Sequence, residues 1–208
     1  QPGQIRYVDM NQNGYIDEYD RTIIGDNNPD FTYGFQTSFK FFGFNLSLNF
    51  DGVYGRQVLY ANYAQVTDPT YSYCSNVLRE VYYDYWTPDN TDARYPALRT
   101  GAYDKDGKEI EVVSNSERGL VSDRLIHDAS YLRLGSASLT YTYRLPKKSK
   151  VLRSVQVGVT GGNLFVFTSY PGWSPIVNSF GQSMTRIGVD VGSYPMARSY
   201  SFDVKLTF

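Results

Sequence analysis

Histidine, cysteine and tryptophan are scarce in this chain, with one His, one Cys and two Trp among 208 residues. The lone cysteine, Cys74, cannot close an internal disulfide and excludes a Cys-rich zinc site. The lone histidine, His127, precedes Asp128 in a serine-rich context, which suggests a Ser-His-Asp arrangement. No Gly-x-Ser-x-Gly elbow accompanies it, so the expected role of His127 is a strand-edge hydrogen bond and no enzyme activity is expected. Charge of one sign is also lacking. Twenty Lys and Arg against 21 Asp and Glu leave a net charge of -1. That balance provides no basic field for a phosphate backbone, so nucleic acid is not an expected partner. No stretch approaches 18 consecutive apolar residues, and the start Gln1-Pro2-Gly3 has neither a basic n-region nor an apolar h-region. A spanning helix and a signal peptide are therefore not expected within the chain, and any leader would lie outside it. Gly158, Gly161 and Gly162 do not make a phosphate loop, because no Lys-Ser/Thr follows; they are expected to let a strand bend.

What the chain has in quantity is tyrosine and phenylalanine, 20 and 12 residues, types suited to pleated, half-buried surfaces and lipid–water boundaries. Near the end, Tyr200, Phe202, Val204, Leu206 and Phe208 alternate with Ser201, Asp203, Lys205 and Thr207, a strict period of two. The same alternation places Phe44, Leu46, Leu48 and Phe50 opposite Asn45, Ser47, Asn49 and Asp51. A preceding run from Phe35 to Phe42 and the turn at Gly43 complete a hairpin. Further strands are predicted over 129–144 and 152–167, with a break at Leu145-Pro146-Lys147-Lys148. About five strands result, each long enough for the roughly 9–11 residues that a spanning strand needs. The connections alternate long and short, with long segments at 1–30, 57–128 and 168–196. Such segregation predicts an outer-membrane barrel whose long loops face outward, with Phe208 at the periplasmic rim. About five strands cannot close, whereas a small barrel takes about eight. The fold expected is therefore all-β, the C-terminal antiparallel strands of a larger transmembrane barrel, with both sheet edges covered by strands outside this chain and the apolar face on the lipid bilayer.

One segment has metal-ligand spacing. Asp9, Asn11, Asn13, Gly14, Tyr15, Asp17 and Asp20 place oxygen donors at positions 1, 3 and 5, glycine at 6, a backbone carbonyl at 7 and acidic groups at 9 and 12 of an EF-type loop. Ca²⁺ suits this set. The pattern departs from the standard in having Asp20 where a longer Glu usually reaches the ion, and the alternative is a polar turn held by Asx hydrogen bonds. Aromatics in the long central segment, Tyr71, Tyr73, Tyr82, Tyr83, Tyr85 and Trp86, are expected mainly to pack the loops, with stacking on sugar rings as the alternative.

Several segments resemble the SusC/RagA-type TonB-dependent transporters of Bacteroidota. They are Asp9-Met-Asn-Gln-Asn-Gly-Tyr-Ile-Asp17 with Asp20-Arg-Thr-Ile-Ile-Gly25, Pro29-Asp-Phe-Thr-Tyr-Gly34, Gly52-Val-Tyr-Gly55, and Trp86-Thr-Pro-Asp-Asn-Thr-Asp-Ala93. Asp128-Ala-Ser-Tyr-Leu-Arg-Leu134, Gly162-Asn-Leu-Phe165, Tyr170-Pro-Gly172 and the run from Tyr194-Pro195 to Phe208 complete the set, in the family's order. The resemblance implies the C-terminal part of a plugged 22-stranded barrel in the bacterial outer membrane, energised by TonB through an N-terminal region absent from this chain. It also implies a SusD-like surface lipoprotein as partner and an oligosaccharide or peptide as solute. The less typical loops at 103–118 and 174–191 are where solute preference is expected to vary. Two rival readings are a secreted, Ca²⁺-stabilised β-sandwich that binds carbohydrate and an outer-membrane barrel enzyme.

Overall fold

The alternating runs do form strands, and they join in one antiparallel sheet. In the computed structural model, which describes residues 3, 5–67, 76–97, 121–146, 151–177, 179–180 and 186–208, β1 is Phe31–Phe41 and β2 is Phe44–Tyr54. β3 (Gln57–Tyr60) and helix α1 (Ala61–Thr67) follow, then helix α2 (Arg79–Tyr83), β4 (Ile126–Asp128) and β5 (Tyr131–Arg144). β6 (Ser154–Thr168), β7 (Val189–Asp190) and β8 (Ser199–Thr207) complete the order. The large sheet runs β1-β2-β5-β6-β8, and a small one runs β4-β3-β7. β8 pairs with β6, with Val204 opposite Val157 and Phe202 opposite Val159.

The β1–β2 hairpin turns through Phe42 and Gly43, both at positive φ, 45° and 87°, the backbone a tight two-residue hairpin needs. Phe42 is 96% exposed at the tip. Along the strands, side chains stack in cross-strand rows: Phe35 faces Phe50 and Phe44 faces Tyr141 with ring centroids 6.4 and 4.6 Å apart. Phe35, Phe39, Phe41, Leu139, Val159, Phe202, Val204 and Leu206 remain exposed.

The expected fold class, the C-terminal antiparallel strands of a 22-stranded transmembrane barrel, is corrected by this arrangement. The structure has eight strands in two sheets, five and three, with no closed barrel among the described residues. Closure requires the two edge strands of a sheet to pair, and β1 and β8 each have one neighbour. Period-two alternation specifies which face of a strand is apolar; it carries no information on closure. No helix among the described residues is long and apolar enough to cross a membrane.

The long segments read as loops contain ordered structure of their own. The chain divides into two units: residues 1–26, 58–127 and 178–192 form one, and 27–57, 128–177 and 193–208 form the other. The first unit contains α1 and α2, and its core is Val58, Tyr60, Ala64, Val81, Tyr95 and Leu125, all buried. Burial of these side chains is what holds the short strands β3 and β7, which pair in parallel through Leu59–Val189 and Tyr60–Asp190. The second unit contains the five-stranded sheet.

Candidate functional site

The segment 9–20 folds into a loop in which Asp9, Asn11, Asn13, Asp17 and Asp20 each accept a backbone N–H. Asp9 accepts from Asn13 and Gly14 at 3.2 and 2.7 Å. Asn11 accepts from Asn13 at 2.9 Å, and Asn13 accepts from Tyr15 at 2.8 Å. Asp20 closes the loop, one oxygen accepting from Met10 and the other from Asp17, both at 2.8 Å. Asp17 caps the 3-10 turn Glu18–Asp20 by accepting from Tyr19, and with Asp20 it makes a reciprocal capping box. Glycine is needed at position 14 because φ there is +87°. The N–H of Asp17 holds the Asp20 carboxyl below its ordinary value, desolvation acts in the other direction, and Met10, Asn11 and the Asp9 side chain add to the lowering.

The spacing thus brings Asp9, Asn11, Asn13, Asp17 and Asp20 into one hydrogen-bonded loop, with Tyr15 projecting outward. These contacts are the Asx turns of the polar-turn reading. They leave lone pairs spare, since an ionised carboxylate offers about four acceptor positions. All the donors in the set are oxygens, the chemistry Ca²⁺ prefers. No group of three or more His, Cys, Asp and Glu side chains arranged for a metal is present among the described residues.

His127 and Asp128 diverge. The His127 ring lies edge-on to Tyr60 and Tyr63, at 5.9 and 5.1 Å, and burial with nearby Arg94 holds its pKa low. Asp128 accepts from the Ser130 N–H and hydroxyl and from the Ser169 hydroxyl. Burial alone would raise this carboxyl, and those three bonds lower it overall. The serine partners serve the turn between β4 and β5, and no Ser-His-Asp relay is assembled by them. Gly158 and Gly162 make room for Asp203 and Ser199, whose side chains stand where a Cβ would be. Tyr82 and Tyr83 pack edge-on at 5.1 Å while staying exposed, and Arg79 lies 5.5 Å over the Tyr83 ring. Tyr71, Tyr73, Cys74 and the 103–118 loop lie outside the described residues, as do Lys147, Lys148 and parts of the 174–191 loop.

Sequence reasoning missed two constellations. On the five-stranded sheet, Arg133 of β5 reaches Asp51 of β2 through Nε at 3.0 Å and through a terminal nitrogen at 2.9 Å. It also donates to Asn163 of β6 at 3.3 Å. In the other unit a cleft of about 350 Å³ is lined by Arg6, Trp86, Arg94, Ser122, Asp123 and Arg124, among others. Its cationic residues are dispersed along the chain, so no local pattern announces them.

Comparison with known proteins finds no matching family model. The chain is 31% identical over 216 residues to TonB-dependent receptor P3 of Formosa agariphila, all of this chain being covered and 19% of that protein. The TonB-dependent receptor SusC of Bacteroides thetaiotaomicron is 26% identical over 210 residues, with coverage of 100% and 18%. Along its whole length the chain is similar to these TonB-dependent receptors. It spans about a fifth of the length of these relatives. Its fold resembles that of the RagAB peptide importer in the closed-closed state, with a TM-score of 0.68 at 22% identity over 89% of this chain and 18% of that one. The RagAB peptide transporter gives 0.66 at 23% identity.

Proposed function

We propose that this chain is part of a TonB-dependent importer of the bacterial outer membrane that takes up oligosaccharides or peptides together with a SusD-like surface lipoprotein, with TonB supplying energy through another region of the protein. The observation that carries this reading is the 31% identity to a TonB-dependent receptor along the whole of the chain. The like fold of a peptide importer supports it. The role assigned to this chain is binding and positioning rather than catalysis. Its test is uptake of labelled oligosaccharides and peptides by cells with and without the gene, with pull-down of the tagged protein scored for a surface lipoprotein. Unchanged uptake of every solute, with no lipoprotein recovered, would overturn it.

The reading includes a structural Ca²⁺ in the 9–20 loop, held by Asp9, Asn11, Asn13, Asp20 and the Tyr15 carbonyl, with Asp17 beside it. Support comes from the donor chemistry and from the gathering of Asp9 and Asp20 into one loop, where Asp20 accepts from Met10 and Asp9 from Gly14. The ion would neutralise the two carboxylates and pin the loop ends together.

A further inference from the structure

The loop 9–20 contains the only Asn-Gly pair of the sequence, Asn13-Gly14. An asparagine side-chain amide can be attacked by the backbone nitrogen of the residue that follows, because the ring that forms is a relaxed five-membered one. Glycine offers the least hindered nitrogen, having no Cβ. Both residues are exposed, and the place where a Cβ of Gly14 would stand is open, with nothing within 4 Å. Water therefore reaches this peptide bond.

The hydrogen bonds of the loop fall on the atoms that take part in such an attack. The nucleophile is the Gly14 nitrogen, whose N–H donates to Asp9 Oδ2 at 2.7 Å, within the reach required of a general base. The electrophile is Asn13 Cγ, and its Oδ1 accepts the Tyr15 N–H at 2.8 Å, a donor placed on the oxygen where negative charge develops. The leaving nitrogen, Asn13 Nδ2, donates to Asp17 Oδ2 at 3.1 Å. The Asn13 backbone is held as well, its N–H donating to Asp9 Oδ1 at 3.2 Å and to Asn11 Oδ1 at 2.9 Å. An Asn-Gly pair in an unfolded chain meets such groups only by chance, whereas here they are already in place.

The geometry points to Asn13-Gly14 as a self-modifying site, at which the loop promotes deamidation of its own asparagine. The Gly14 nitrogen bonds to Asn13 Cγ while its proton passes to the Asp9 carboxylate. The Cγ–Nδ2 bond then breaks, Nδ2 takes up that proton and departs as ammonia, and a succinimide remains. Water opens the ring at either carbonyl to give aspartate or isoaspartate, so that one water enters for each ammonia that leaves and no oxidant or reductant is needed. Either product adds a carboxylate to the loop and removes the donor that Asp17 now has, so the loop gains negative charge as the protein ages. This chemistry needs no solute, partner or energy source.

The experiment incubates the purified protein at its natural length at neutral pH, with chelator present because the Ca²⁺ assigned to this loop would take the same Asp9 and Asn13 oxygens. Peptide mass spectrometry follows the mass gained when an amide becomes an acid, and hydroxylamine traps the succinimide. Asn13 should convert ahead of every other asparagine, through a trapped succinimide, with aspartate and isoaspartate both formed. Asp9→Asn keeps the shape of the side chain and removes the carboxylate; it should slow conversion about tenfold, less than the roughly 10²–10⁴ of general bases in enclosed sites because water competes at this surface. Wild-type protein in denaturant, which has the same sequence without the loop, should also convert more slowly than the native chain, a readout that needs no variant to fold. An Asn13 that stays intact while other asparagines convert, conversion without a succinimide, or a rate unchanged or raised in Asp9→Asn or in denaturant would each overturn the proposal.

Discussion

Replacing Arg133 by methionine should loosen the centre of the five-stranded sheet. Methionine keeps a long apolar stem and removes the fork that grips Asp51. The two residues face each other directly across β2 and β5. Their side chains are 23% and 32% exposed, and three nitrogen–oxygen distances fall at 2.9–3.0 Å. This places the pair between a surface ion pair, worth about 0–1 kcal/mol, and a buried one, where removing one partner costs about 3–5 kcal/mol. A cost of about 2 kcal/mol follows, because Asp51 keeps its charge in a half-buried position and Asn163 loses a donor. Hydrogen exchange on the intact protein reads local opening directly. Amides of β2 and β5 near this pair should exchange roughly 30-fold faster, the equivalent of that energy at about 1.4 kcal/mol per decade. Asp51→Asn should cost less in the Arg133→Met background than alone, since it then removes an unpaired charge. Less than a threefold change in exchange, or identical costs of Asp51→Asn in both backgrounds, would refute the assignment.

Gly52→Val should destabilise by about 1–3 kcal/mol through overpacking, because a Cβ there would lie 2.4 Å from the Tyr33 ring and 2.5 Å from the Tyr131 carbonyl; an unshifted unfolding midpoint would count against the close approach. His127 has its pKa held below 6.5 by burial and by Arg94, so its contribution to stability is complete above pH 6.5 and is lost as pH falls through the lower folded-state value. Exchange over residues 58–67 and 121–127, corrected for the intrinsic pH effect, should therefore accelerate on acidification, and a flat profile would argue against a buried neutral imidazole. If the 9–20 loop holds Ca²⁺, chelation should expose it to limited proteolysis and Asp9→Asn with Asp20→Asn should abolish the calcium dependence; protection that ignores both would favour the polar turn.

The strands were legible because alternation is a property of neighbours. Tyr200, Phe202, Val204 and Leu206 need no tertiary information to declare a face, and the observed β8 differs from the predicted strand by one residue at each end. The 9–20 loop was legible for the same reason, since position 1-3-5-6-12 spacing is local. Closure was not, because it depends on whether β1 and β8 find partners. The small sheet escaped because β3, β4 and β7 have four, three and two residues, too few for a period to emerge. The arginine cleft escaped because Arg6, Arg94 and Arg124 meet only once the chain has folded.

β5 shows how a break in the alternation marks a structural device. Its apolar residues sit at even positions in Leu132 and Leu134 and at odd positions in Leu139, Tyr141 and Tyr143, so a regular strand would send the two groups to opposite faces. The register resolves the conflict. Phe50 pairs with Leu134 but Asn49 pairs with Ser136, and Gly135 is the extra residue. A bulge of this kind shifts the phase by one. Leu134 and Leu139 consequently line up with Phe50 and Leu46, which share a parity on unbroken β2. On the other side Leu134 pairs with Phe165 and Ser136 with Gly162, and Asn163, between them, takes φ of 53°. A Cβ at position 135 would lie 2.8 Å from the Asp51 carboxylate and would have to displace it. The carboxylate occupying that space is the one Arg133 grips, and Arg133 also reaches Asn163. The ion network therefore sits on the bulge itself, tying the β2, β5 and β6 backbones together at the point where their ladder hydrogen bonds are interrupted.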